Sequence, residues 1–375
     1  MEKVATLLAD LVAIPSINPM GRKPDGTRYS EQAIADFIAS YLRKVSIDVE
    51  MYDVSPSRPN VEGFVDAGSK ETLLLEAHLD TVHGEGMSID PFKPAVKDGK
   101  LYGRGACDTK GSIAAFLHAV TSLLEGGKKL RRNVRFLFVS DEEYRFSGAE
   151  AAIRRGLRTT FGIAGEPTNC SIVRAHKGVT RWKITARGIS AHSAFPERGR
   201  NAIYLMSEVV KRIETYAGDL ARRNTHPLLG PATISVGVIE GGQAVNVVPD
   251  SCWIEIDRRS LPEETPDSVM LPLKECLKDL GDVEFAVPHI GVGGMDVPES
   301  APIVQQLASA IRKVTGNVEI ATAPYATDAG VYNQAGIPTV VFGPGDIAQA
   351  HTDSEWISLD QLNQAVSIIQ NLVIS

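Results

Sequence analysis

Residues 71–82 read ETLLLEAHLDTV. The apolar run is too short for an ordinary helix and fits a strand buried on both faces. Residues 112–124 (SIAAFLHAVTSLL) follow with helical apolar spacing, and residues 133–140 (NVRFLFVS) form a second strong strand pattern. Strands separated by helices indicate an α/β unit with a largely parallel sheet. A further helix is predicted upstream over residues 30–45, with apolar positions at Ala33, Ile34, Phe37, Ile38, Tyr41 and Leu42.

The texture changes near residue 178. Residues 180–187 (TRWKITAR) alternate as a half-exposed strand does. A helix is predicted at 201–216, strands at 233–239 and 251–257, and a helix at 267–280 that Pro272 should break or kink. This stretch reads as a small α+β domain with an antiparallel sheet. The α/β texture returns after about residue 290 with a helix at 303–314, a buried strand at 338–342 and a helix at 359–372. The expected fold is therefore a mixed, largely parallel sheet flanked by helices, formed by residues 1–177 and 291–375. An inserted α+β domain occupies 178–290.

The chain has 375 residues, with 46 acidic against 39 basic side chains and a net charge of −7. That balance offers no basic footprint for nucleic acid and none for an anionic membrane surface. No stretch reaches the roughly 18 apolar residues that a membrane helix needs. The N-terminal MEKVATLLADLVAIPSINP lacks a small-residue cleavage site, so it does not read as a secretory signal. Val4, Leu7, Leu8, Leu11 and Val12 instead recur as on a packed amphipathic helix. Cys107, Cys170, Cys252 and Cys276 are scattered, with no Cys-x-x-Cys, and a reducing cytoplasm is the expectation.

Five segments carry chemistry. In AHLDTV (77–82), His78 and Asp80 would share one face of a strand, and a structural hydrogen bond explains them as readily as a ligand set. LYGRGACDTKG (101–111) is a glycine-rich loop without P-loop spacing, and Asp108 in it could simply cap the following helix. Adjacent Asp141, Glu142 and Glu143 follow a buried strand, where like charges repel unless a cation is near. Glu166 precedes Pro167 in AGEPTN, and His351 lies beyond a glycine-proline loop in VVFGPGDIAQAHTDSEW (340–356). All five are expected at strand ends of one sheet. Imidazole and carboxylate donors without thiolates suit a hydrolytic zinc centre, with cobalt or manganese as substitutes. A pair of metals needs a bridging carboxylate, and Asp108 could serve.

The motifs HLDTV, YGRGACDTKG, SDEE, GEPT, RAHKG, GISAHSAFPERGRNAI and FGPGDIAQAHT run from residue 78 to 352. In that order they resemble the dinuclear-zinc amidohydrolases that include acetylornithine deacetylase, succinyl-diaminopimelate desuccinylase, aminoacylase and glutamate carboxypeptidases. The likeness is greatest to the acetylornithine deacetylase branch. It implies a zinc-exopeptidase-like fold that hydrolyses an N-acyl-L-amino acid. It implies His78 and Glu166 on one metal, Glu143 and His351 on the other, and Asp108 between them. Asp80 would orient the His78 imidazole. Glu142 would be the general base, taking a proton from the attacking water and giving it to the leaving amine. His192, in SAHSAFP, would reach the partner subunit's site of a homodimer and stabilise the oxyanion. Asn246 and Arg258 would hold the substrate carboxylate, and Lys177, Thr327 and Gly330 would line the same pocket. Thr327-Asp328 stands where acetylornithine deacetylases often carry Thr-Glu, which leaves the ornithine side chain open as the substrate.

Three readings compete. A deacylase and a dipeptidase or carboxypeptidase share this metal chemistry and differ in the acyl pocket. A non-catalytic binding protein would lack a ligand or the base, and this chain has all five ligands and Glu142.

Overall fold

The computed structural model describes residues 2–22, 26, 28–223 and 225–374. It divides into two compact units. The first comprises Met1–Arg174, Val297–Ala321 and Thr327–Ser375, and the second Ala175–Asp296 and Thr322–Ala326.

The first unit is built on one sheet. Its strands run in the order Asp48–Ser55, Arg58–Val65, Asn133–Val139, Thr72–His78, Phe161–Ala164, Thr339–Val341 and Ile172–His176. The pairings from Asn133–Val139 through Thr72–His78 and Phe161–Ala164 to Thr339–Val341 are parallel. The hairpin on one side and Ile172–His176 on the other are antiparallel. The sheet is thus mixed, with a parallel centre where the apolar runs are longest. Leu73, Leu74, Leu75, Phe136, Leu137 and Phe138 are fully buried, as both-face coverage requires.

Helices flank this sheet. Lys110–Glu125 is buried along most of its length and packs against Lys3–Val12 and Leu359–Ile374. Val4, Leu7, Leu8, Leu11 and Val12 are all buried, as their spacing predicts. Each such large aliphatic side chain contributes about 1.5–3 kcal/mol of hydrophobic stabilisation. Among the described residues no helix is long and apolar enough to cross a membrane.

The second unit carries an antiparallel sheet in the order Thr233–Gly241, Ser251–Ser260, Gly178–Arg187 and Val283–Phe285, with Ile290–Val292 also on Gly178–Arg187. Ser251–Ser260 alternates strictly between buried and half-buried positions. Its inward face meets Trp182, Ile184, Met206, Val209 and Ile213 from the neighbouring strand and the helix Ala202–Arg223. The helix Pro266–Leu277 is not broken at Pro272, which lies inside it. Pro272 lies on its exposed face, and a Thr265–Ser268 capping box secures the start.

Candidate metal centre

The parallel strands end on a common side, and their following turns bring the acids and imidazoles together. His78 is the last residue of Thr72–His78. Glu142 and Glu143 follow Asn133–Val139, Glu166 follows Phe161–Ala164, and His351 lies past Thr339–Val341. Asp108 departs from the expected placement. It follows the short strand Lys100–Tyr102, which belongs to a separate three-stranded sheet. Nor does it cap the helix Lys110–Glu125, whose N-cap is Thr109.

Asp108 stands between the two imidazoles. Its Oδ1 is 3.0 Å from His78 Nε2 and its Oδ2 is 3.3 Å from His351 Nε2. His351 Nε2 is also 3.1 Å from Glu143 Oε2, and His78 Nε2 is 3.7 Å from Glu166 Oε1. Donor atoms of His78, Asp108 and Glu143 all lie within 4.8 Å of one another, as do those of His78, Glu142 and Glu166. The loops are tied together besides. The Thr109 hydroxyl donates to the Gly165 carbonyl, next to Glu166.

The electrostatics of this cluster call for cations. Burial pushes the Glu142, Glu143 and Glu166 carboxyls up, and their neighbours' negative charge adds to it. Burial likewise works against a charged His78. The carboxylates of Asp108, Glu166 and Glu142 outweigh it and push the imidazole up. Asp108 and Glu143 push His351 up to about 10. Burial opposes the charge of Asp108 too, but the two imidazoles more than offset it and hold the carboxyl low. Three carboxylates, Asp108, Glu143 and Glu166, and the two imidazoles offer anionic oxygen and ring nitrogen donors that fit a pair of divalent cations, with the Glu142 carboxylate beside them.

Asp80 corrects one expectation. The strand ends at His78, so the two residues do not share a strand face. The contact to His78 Nδ1 is made by the Asp80 backbone carbonyl at 2.8 Å, while the carboxylate oxygen stands at 3.7 Å. With Nδ1 so engaged, Nε2 is the ring nitrogen left for a metal. The Asp80 carboxylate accepts the backbone N–H of Glu142 and Glu143 at 3.2 and 3.1 Å, and Asn18 Nδ2 at 2.7 Å.

Asp141 is bound into the scaffold as well. Arg58 Nη1 donates to it at 2.9 Å, Asn18 Nδ2 at 3.1 Å, and the Ser147 hydroxyl also donates. Sequence reasoning assigned nothing to Asn18, Arg58, Arg104 or Glu355. Arg104 lies within LYGRGACDTKG and Glu355 within VVFGPGDIAQAHTDSEW, four residues past His351. Cys107 beside Asp108 is fully buried, and burial pushes its thiol up, which suits a packed group.

The expected substrate-binding residues divide. His192 and Asn246 are exposed on the second unit and adjacent, since Ala191–His192 pairs with Val247–Val248 and Ser193 donates to the Asn246 carbonyl. Arg258 is buried instead, with Nη2 2.7 Å from Glu264 and Nη1 donating to the Arg259 carbonyl. Lys177 is also buried and donates to the Pro231 carbonyl at 2.6 Å. In the first unit, Thr327 and Gly330 are buried, and Gly330 donates to the Thr327 carbonyl at 3.0 Å. A hollow of about 240 Å³ opens beside the centre, lined by Val82, His83, Arg104, His351 and Thr352 among others.

A family model described as peptidase family M20/M25/M40 matches residues 74–375. An acetylornithine deacetylase of Myxococcus xanthus is 33% identical over 312 residues, covering 81% of this chain and 80% of that one. Another from Proteus mirabilis is 32% identical and covers 98% of this chain and 95% of that one. Among solved structures, an M20-family metallo-carboxypeptidase of Sulfolobus solfataricus superposes with a TM-score of 0.81 at 19% identity, covering 100% of this chain and 99% of that one. Aminopeptidase PepT of Bacillus cereus gives 0.78 at 22%, covering 99% and 97%. These structures share the fold.

Proposed function

The chain belongs to peptidase family M20/M25/M40, a metallohydrolase acting on amide bonds, and from that premise we propose that it removes the acyl group from an N-acyl-L-amino acid. N-acetylornithine is the first candidate substrate, because the acetylornithine deacetylases cited are similar along nearly the whole chain. The observation that carries the reading is Asp108 standing between His78 and His351.

Two divalent cations, zinc in the first place and cobalt or manganese as substitutes, would there acidify a water and polarise the amide carbonyl. His78 and Glu166 would hold one, Glu143 and His351 the other, and Asp108 both. Glu142 is the general base. Its backbone is fixed by Asp80, and burial raises its carboxyl, so it can keep a proton between taking it from the attacking water and giving it to the leaving amine. Asp80 serves as the anchor of that turn and, through its carbonyl, as the partner of His78.

His192 and Asn246 are the exposed pair on the second unit that can meet a substrate. His192 is assigned to the oxyanion, acting in the partner subunit's site of a homodimer, and Asn246 to the substrate carboxylate. Arg258 and Lys177 act through the packing of the second unit, and Thr327 and Gly330 through the first. Dimerisation is supported by the strand Thr233–Gly241, which among the described residues pairs on one side only and exposes Val238 and Ile239. Such an edge invites pairing. The four cysteines are free, which agrees with a cytoplasmic setting.

The test is a substrate panel on the zinc-loaded protein: N-acetylornithine, N-succinyl-diaminopimelate, other N-acetyl amino acids and dipeptides. The highest kcat/KM is expected on N-acetylornithine or another N-acetyl amino acid. Turnover of dipeptides alone would make it a peptidase.

A further inference from the structure

Glu355 is a fully buried carboxylate four residues beyond His351. Its Oε1 accepts the backbone N–H of Cys107 at 2.8 Å and of Asp108 at 3.0 Å. Its Oε2 accepts the Gly105 N–H at 3.0 Å and Arg104 Nη1 at 2.6 Å. Four donors converge on one carboxylate, which satisfies most of its lone pairs. The backbone of Asp108 is thereby held from a segment distant in sequence.

Arg104 extends the same link. Its Nη2 donates to the Thr352 carbonyl at 3.1 Å and its Nε to the His83 carbonyl at 3.2 Å. Thr352 adjoins His351, whose φ of +60° puts a non-glycine residue in the left-handed region. Such a conformation persists where its surroundings fix it. Arg104, in the Asp108 loop, and Glu355, in the segment that carries His351, therefore tie the two together from both sides. A lysine could not meet three acceptors set around a plane. A buried ion pair is seldom the most stabilising way to fill a core. What it supplies here is a fixed geometry between two loops, and Arg104 also balances the extra negative charge so close to the carboxylate cluster.

We propose that Arg104 and Glu355 form a positioning strut for the metal centre. The strut sets the spacing of Asp108 and His351, and so governs the cation position those residues share with Glu143. The position at His78 and Glu166 takes only Asp108 from the segments the strut holds most directly, and depends on it less. This inference rests on the two-metal reading.

The experiment is metal titration of the full chain. Bound zinc per chain is measured against buffered free zinc for the wild type, Arg104→Lys and Glu355→Gln, with cobalt absorption as a second readout and thermal unfolding of the metal-free proteins as a check on folding. Wild type should bind two ions. Each variant should bind one ion 10–100-fold more weakly, the usual consequence of loosening a ligand's support, and the other with a clearly smaller loss, since Asp108 is common to both positions. Glu355→Asp retains the charge one methylene back, and should show a milder form of the same split if Glu355→Gln does not fold. A wild type that binds fewer than two ions overturns the two-metal reading itself. A wild type with two ions, beside folded variants that bind both normally or lose both equally, overturns the strut alone.

Discussion

Asp80 meets His78 through its backbone carbonyl, 2.8 Å from Nδ1, and gives its carboxylate to the N–H groups of Glu142 and Glu143. One residue thus fixes the ring orientation of a metal ligand with one group, and the turn that carries the base with another. The two functions are separable, because a side-chain substitution leaves the carbonyl in place.

Asp80→Ala should therefore lower kcat while the ion at His78 keeps near wild-type affinity, with any loss of zinc confined to the position of Glu143, which the same turn carries. It strips the acceptor from two backbone N–H groups and from Asn18, and each unpaired buried group costs about 1–3 kcal/mol. A fall in melting temperature should accompany the fall in kcat. Loss of the ion at His78 in proportion to loss of activity would return the histidine-orienting role to the carboxylate.

Glu142→Gln should cost about 10²–10⁴ in kcat, the range for a general acid–base group. Gln keeps the size of the side chain and cannot take the proton. Zinc content and KM should change little, since the ligands named are other residues. Full activity of this variant would remove Glu142 from the mechanism.

The sheet was legible because its central strands are nearly pure apolar runs, as at Leu73–Leu74–Leu75, bounded by helices of clear period. The hairpin Asp48–Ser55 and Arg58–Val65 was not legible, since charged and apolar residues mix along both strands and give no clean pattern. The clustering of His78, Asp108, Glu143, Glu166 and His351 was expected from motifs and is seen in the geometry. Glu355 and Arg58 were not legible. A buried charge is recognisable only by its partners, and here those partners are backbone N–H groups and residues far away in sequence. Arg258 shows the converse: an arginine on a strand gives no sign that Glu264 will claim it.

Acid should destabilise the protein partly through His176. Burial lowers this imidazole from its ordinary value of 6.5 to about 4. The folded state thus favours the neutral ring, and the unfolded state binds the extra proton between those two values. The contribution is fully present above pH 6.5 and is lost as pH falls toward 4, by up to about 3 kcal/mol. Denaturant unfolding from pH 7 to 4 should show a shallower loss of stability in His176→Gln than in the wild type. Parallel slopes would mean that this imidazole does not carry the effect.

Mixing two inactive variants tests the trans role of His192. His192→Ala lacks the oxyanion donor and Glu142→Ala lacks the base, so each alone should be strongly impaired. In a mixed dimer, the His192→Ala chain keeps Glu142 and would receive the partner subunit's His192. One complete site then forms in each mixed dimer, and random exchange should restore about a quarter of wild-type activity. If His192 serves its own subunit, no combination contains a complete site, and the mixture should stay as inactive as its components. Sedimentation of the same samples should show a dimer throughout. Ile239→Lys, which charges the exposed edge strand, should give a monomer that cannot be complemented.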